Sequence, residues 1–432
     1  MCRESVPLLV GPSSLKQLTG IPHLASLQYR DFRYTWIGNM FAGAGMWALL
    51  VAVSWWTLND SDSSGWVGVT TFAAMLPFLV VSPVAGLLAD RLNRRNLAAI
   101  CFTGEAAVAA TLAALVLTGA VEIWHVAILA FVAGAFRSTS EPSVQALIPN
   151  QVPQHNLLNA ITLFAMTRHG ARFFGLLIAS PLLAWDSVGV EGVLVFSAVL
   201  YACAAFFMMR GLTISSGDGR TQQSPLQGMV EGLKYIYSNQ IIAIFILVVA
   251  FHCALVMSYD SVTPIFSREQ LGATDGSFLG YLVMGFGAGS LIGTLLVAGV
   301  RAEKLKGQLM VWTGLASGIA PILLATMGNI VPAVFFAAAM GAAQATFMAI
   351  TNAYVLSISP DRLRGRIASL YVLHAGGIMA FANLGYGFLA DTVNAPVIFY
   401  ATSVAFLAIL LSLVLAQPIL RRVYRTGEVA AA

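Results

Sequence analysis

The chain has 432 residues, 58% of them hydrophobic types and only 10% charged, with a net charge of +4. Soluble domains carry about 25% charged residues, so a row of ordinary soluble domains is excluded. The 25 Phe, 12 Tyr and 8 Trp exclude a disordered chain, and so small a positive charge gives no reason to expect nucleic acid.

Residues 1–33 are mixed in character and read as a cytoplasmic tail. Their apolar patch is interrupted by Pro7 and Pro12 and is too short for a signal-peptide core. Twelve apolar runs follow, roughly 34–58, 66–89, 97–118, 123–148, 157–185, 190–209, 241–266, 277–300, 309–327, 330–358, 367–390 and 395–416. Most have about the 20 residues that cross a hydrocarbon core ~30 Å thick. The expected fold is therefore an all-α membrane protein with twelve transmembrane helices. A connector at 211–240 divides a half at 34–210 from a half at 241–416, and a tail follows from 417. Within the connector, Met229, Leu233 and Ile236 sit at helical spacing, so 227–238 reads as an amphipathic helix at the cytoplasmic interface.

Basic residues orient the chain. Of the 23 Lys and Arg, Arg137, Arg168 and Arg172 fall inside spans and Arg268 in an outer loop. The other 19 occupy inner segments if both termini are cytoplasmic, the bias expected of cytoplasmic loops. Of the four cysteines, Cys101, Cys203 and Cys253 lie in apolar runs, and Cys2 does not. Without a CxxC, neither a disulfide framework nor a zinc site is expected. No metal or cofactor is called for.

After the second run the chain reads Gly86-Leu-Leu-Ala-Asp90-Arg91-Leu-Asn-Arg94-Arg95. This resembles the signature of the major facilitator superfamily, with Asn93 where Gly is usual; Asn also tolerates a left-handed turn. Gly86 would permit close helix contact. The resemblance implies that Asp90 faces the positive N-terminal end of span eleven, bracing the two halves and closing the inner side. Further stretches look like the twelve-span subgroup of macrolide-efflux and enterobactin-export proteins. They include LPFLVVSPVAGLLADRLNRR, SEPSVQALIPNQVPQHNLLNA and RLRGRIASL. That subgroup mostly moves amphipathic molecules outwards in exchange for protons, and it shades into lysophospholipid transporters. A twofold echo pairs the segment after span four with that after span ten, Pro149 matching Pro360. One departure concerns span five. The antiporter pattern G-x-x-x-G-P-x-x-G-G keeps Gly175 but loses the adjacent Pro and the paired Gly. A less kinked and less closely packed span is expected there.

Ionisable groups inside a bilayer usually face a cavity or a partner. Arg137 and Glu141 are four apart on span four, and Arg168 and Arg172 four apart on span five, so each pair shares a helix face. At ~1.5 Å per residue, Arg137 and Arg168 both lie roughly 16 Å from the inner ends of their spans. A network of Glu141, Arg137 and an arginine of span five is expected. It would carry a proton or bind an anionic group, or else fix helix register as a static pair. Glu105, ~13 Å into span three, is a second proton-coupling candidate with no partner visible in the sequence. Asp260, near the outer end of span seven, is expected either to line the outer mouth of the cavity or to be solvated at the interface. Asn39 is the polar cavity residue of span one, since first spans line the cavity in the resembled family. His252, His374 and His169 titrate near neutral pH in water but, alone in a membrane, serve more often as packing; of these His252 is a cavity candidate. Gly285, Gly289 and Gly293 form a GxxxGxxxG stripe for helix packing on span eight. Trp55, Trp56, Trp66 and Trp124 read as an interfacial belt.

The sequence contains no GxxxxGK[ST] and no GxSxG, so neither ATP-driven transport on this chain nor enzymatic activity is expected. The leading expectation is proton-coupled export of small amphipathic molecules by a monomer in a bacterial inner membrane, its partners the substrate, protons and the bilayer. Alternatives are a lipid or lysophospholipid transporter and a non-transporting sensor or scaffold.

Overall fold

The structure is a computed structural model that describes residues 22–81, 92–213 and 225–429. Among the described residues, fourteen helices of eight residues or more stand in chain order. They are α1 (Arg30–Ser61), α2 (Ser64–Val80), α3 (Arg94–Leu117), α4 (Ile123–Leu147), α5 (Leu157–Leu183), α6 (Gly189–Arg210), α7 (Pro225–Ser238), α8 (Gln240–His252), α9 (Ser277–Ala298), α10 (Glu303–Ala325), α11 (Ile330–Ser357), α12 (Asp361–Ala390), α13 (Ala395–Ala416) and α14 (Pro418–Thr426). No strand occurs among the described residues. Ten segments are long and apolar enough to cross a membrane. The 17-residue α2 and the 27-residue α5 complete the twelve. α5 has the length but not the hydropathy, because it carries Arg168, His169 and Arg172.

The helices form two six-helix halves. In the first, α1 packs on α5 and α6, α3 on α4 and α6, and α2 on α4. In the second, α9 packs on α11, α11 on α10, and α10 on α13. The halves meet along two seams, α2 against α12 and α5 against α9. "Outer" below denotes the end bearing the α1–α2 turn, following the distribution of basic residues.

Several expectations are corrected. Span seven is not one helix over 241–266. α8 ends at His252, widens into a π turn at Cys253–Met257, breaks, and resumes at Thr263–Ile265 with a second π turn, Phe266–Gln270. Pro264 has no N–H to donate, and side chains take over the freed groups. Ser258 Oγ donates to Cys253 O at 2.7 Å, and Asn383 Oδ1 of α12 accepts from Ser261 N at 3.2 Å. Asn93 does not adopt a left-handed turn: it is the N-cap of α3, its side chain accepting from Arg95 N and Asn96 N. Span five is tightly packed at the altered pattern. A β-carbon on Gly175 would lie 2.7 Å from Ala44 Cα, and one on Gly43 2.6 Å from Ala171 Cβ. One glycine on each helix therefore does what the lost Gly pair was expected to do, and α5 runs on through Pro181. In the tryptophan belt Trp66 and Trp124 are 42% and 52% exposed, but Trp55 is 3% exposed. Its ring lies against Gly276 between the halves.

α7 lies on α12, with Ile236 buried, and its Glu231 forms an ion pair with Arg366. The glycine stripe of α9 faces α11: Gly285, Gly289 and Gly293 abut Val334, Ala338 and Ala342. Gly287, on the opposite side of the same helix, lies against Arg172 and Phe173 of α5. Small residues thus let α9 serve both as a core helix and as half of a seam.

Candidate functional site

The membrane arginines lie on α4 and α5, in contact with α1, α2, α4 and α9. Arg168 Nη2 lies 3.7 Å from Glu141 Oε2, joining α5 to α4. Their side chains are 69% and 44% exposed, so the pair borders open space rather than a packed core. Arg137, four residues before Glu141, does not join this pair. Its guanidinium stacks over the ring of Phe78, 5.0 Å from the centroid. Arg172 reaches the α5–α9 seam, 4.0 Å over Trp47 of α1 and 4.1 Å over Phe286 of α9. One guanidinium is therefore held between aromatic rings of both halves.

Asp260 sits in the break of span seven, next to Ser261, whose N–H donates to Asn383 Oδ1 of α12, with Arg172 and Arg137 as its influential cations. Asn383 is seven residues from the outer end of α12, which puts Ser261, the neighbour of Asp260, about 10 Å below that end. Glu105, buried in the first half, has Arg137 and Glu141 as its charged neighbours, a cation the sequence did not reveal. Asn39 Nδ2 donates to Thr167 Oγ1 at 2.6 Å, tying α1 to α5. His252 belongs to no cavity. It is fully buried in the second half, its Nε2 3.0 Å from Ser317 Oγ and its ring against Phe347 and Phe406. His374 Nε2 lies 3.0 Å from the Tyr237 hydroxyl on α7.

Of the signature after span two, Gly86, Asp90 and Arg91 lie outside the described residues. Arg94 Nη1 donates to Ala146 O at 3.3 Å and Arg95 Nη1 to Gly211 O at 2.5 Å. Both bonds pin the start of α3 to inner ends of its own half.

The outer end carries a tie that sequence reading missed. Ser63, the N-cap of α2, has no capping side-chain bond of its own. Asp391, just past the end of α12, does the capping instead. Its carboxylate accepts from Ser64 N at 2.5 Å, Gly65 N at 3.1 Å and Ser63 Oγ at 2.6 Å. A carboxylate suits the positive end of a helix, and here helix and cap belong to different halves. Gly387 makes room, since a β-carbon there would lie 2.6 Å from Ser64 O. A signal did exist: Gly387-Phe-Leu-Ala-Asp391 repeats the Gly86-Leu-Leu-Ala-Asp90 of span two. Trp47 and Phe286 had no signal, because aromatic residues are abundant in every span.

A second outer contact joins the halves through Arg268 Nη2 and Asp62 Oδ1 at 2.7 Å, but the Asp62 side chain is 83% exposed. Solvent screens such a pair. Arg268→Ala is expected to change stability by less than about 1 kcal/mol and to leave transport intact, as thermal unfolding in detergent and a flux assay would register.

Comparison with known proteins gives a consistent picture. The family model described as "transmembrane secretion effector" matches residues 21–424. The multidrug efflux pump Tap of Mycolicibacterium fortuitum is 25% identical over 382 residues, covering 85% of this chain and 90% of that protein. Macrolide efflux protein A of Streptococcus pyogenes is 22% identical over 363 residues, covering 81% and 86%. Among solved structures, a D-xylose–proton symporter aligns with a TM-score of 0.73 at 13% identity, covering 94% of this chain and all of that one (100%). That likeness bears on fold.

Proposed function

The chain belongs to the transmembrane secretion effector family of the major facilitator superfamily, and on that footing we propose that it exports small amphipathic molecules by alternating access in exchange for protons. It is an integral membrane transporter related to efflux pumps; direction, substrate and coupling ion are our reading. The observation that carries it is an asymmetry between the ends. Asp391 on α2, and Trp55 against Gly276, tie the halves at the outer side. Deeper in, Glu141 and Arg168 border open space. An arrangement closed at the outer side is one of the two states that rocking along the α2–α12 and α5–α9 seams would interconvert. Both termini would be cytoplasmic, in a bacterial plasma membrane, in keeping with the basic residues. Asp90 would brace the inner side in the alternate state. Glu141 and Glu105 are the proposed proton carriers, each a carboxyl beside an arginine whose field changes when the halves move.

The test is a substrate-panel flux assay in proteoliposomes with an imposed pH gradient. Flux is expected only with the gradient and is abolished by a protonophore. If Glu141→Gln and Glu105→Gln both keep full gradient-driven flux, the carrier assignment fails.

One observation favours a second reading, a lipid or lysophospholipid transporter. A groove of ≈ 610 Å³ runs between α7 and α12, lined by Leu233, Leu373, His374, Gly377, Ile378 and Phe381. Scrambling of labelled lipid in vesicles would single out that reading.

A further inference from the structure

Three donors around the arginine cluster lack an acceptor. Arg172 Nε, Arg137 Nε and Trp47 Nε1 are buried and make no hydrogen bond among the described residues. Neither Arg137 nor Arg172 forms an ion pair there, since the Glu141 carboxylate is taken by Arg168. Asp260 is the acid whose field both arginines share, without an ion pair to either among the described residues. Buried N–H groups are nearly always satisfied, so three unsatisfied ones on neighbouring helices call for an explanation. All three are donors, so what they lack is an acceptor.

The stacking narrows the chemistry. The Arg172 guanidinium carbon lies over the rings of both Trp47 and Phe286, 4.0 and 4.1 Å from their centroids. The N–H bonds of a guanidinium point in its own plane, along its edge. A planar carboxylate meets such an edge with two parallel hydrogen bonds. The rings beside it offer an apolar wall for the rest of the molecule.

We infer that the site recognises amphipathic organic anions through a carboxylate, held at the edge of Arg172 and by Trp47 Nε1, with Arg137 adding positive field. This rests on the proposal that the same cavity carries the exported molecule, and it narrows that proposal from amphipathic molecules in general to carboxylates with an apolar body. Trp47 and Phe286 belong to different halves, so the anion would bind at the seam that transport must open.

The experiment measures binding without a gradient, by calorimetry on the purified protein in nanodiscs. The probes share one ring system: 1-naphthylacetate and protonated 1-naphthylethylamine. The acetate is expected to bind at least about tenfold more tightly than the ammonium. Arg172→Gln should weaken the acetate by about 10- to 100-fold and leave the ammonium unchanged. Trp47→Phe keeps a stacking ring but removes the N–H, and should weaken the acetate by roughly 3- to 10-fold. Unchanged thermal midpoints in both variants separate recognition from folding. The inference is overturned if the ammonium binds as well as the acetate, if Arg172→Gln leaves acetate binding intact, or if the acetate fails to bind at millimolar concentration. Gradient-driven export of a cation without acetate binding sinks this inference alone. Acetate binding in a protein that shows no gradient-driven flux of any substrate sinks the export reading and leaves the site standing.

Discussion

Replacing Asp391 with alanine is expected to shift the resting protein toward an outward-open state by about 5- to 30-fold. The carboxylate caps the first turn of α2 across the α2–α12 seam, through Ser63 Oγ, Ser64 N and Gly65 N. Losing an N-cap typically costs ~0.5–2 kcal/mol, and one to two kcal/mol is a factor of about 5–30 in an equilibrium. Asp391 is exposed, so solvent recovers part of the loss and the upper end is a ceiling. The cost falls on the outer-closed state alone, because the capped helix and the cap part when the outer side opens. Spin labels at Glu122 and Val331, both at outer helix starts, would report the change in a cysteine-free background. A longer distance component is expected in Asp391→Ala, and Asp391→Asn, which keeps acceptor oxygen but loses charge, should fall between. An unchanged distance distribution would remove Asp391 from the closing contact.

The second large effect concerns assembly. Gly289→Val is expected to destabilise the second half by ~3 kcal/mol or more, at or beyond the top of the usual range for overpacking. The Cβ of any side chain there would be driven into the Ala338 carbonyl of α11. The obstacle is helical backbone, which cannot swing aside as a side chain can. Gly293 and Gly341 bear on the same interface from both helices, so the pair would have to separate along its length. Gly385 and Gly376 supply the contrast, since nothing lies within 4 Å of a β-carbon at either. Alanine at those two positions should be neutral or stabilising by about 0.5–1 kcal/mol, the helix-interior difference between Gly and Ala. Thermal unfolding of the purified variants in detergent would read all three. Equal midpoints for Gly289→Val and the wild type would show that the α9–α11 contact is looser than its geometry.

The candidate site was legible in the sequence as a list of residues, not as an arrangement. Arg137, Glu141, Arg168 and Arg172 stood out because charge is rare in an apolar span. Helical spacing put Arg137 beside Glu141, yet the structure turns Arg137 onto Phe78 and gives Glu141 to Arg168. Spacing names the residues that share a face, while the partner depends on which helix packs opposite. His252 shows the same limit, since a span's sequence does not say which face meets the core. The break in span seven had a local signal in Pro264, but its position depends on Asn383, 122 residues away from Ser261.

Twelve spans, their order, the connector and the sparse interior charges follow from the chain read alone. Crossing a membrane is a local demand: each segment must be apolar and must satisfy its own backbone hydrogen bonds, and both properties are written in about 20 consecutive residues. The placing of Arg172 between Trp47 and Phe286, the capping of α2 by Asp391, and the exposure of the Glu141–Arg168 pair came only with the assembled helices. Each joins elements far apart in sequence, and each depends on a close approach between helices that glycines and small side chains permit but do not specify.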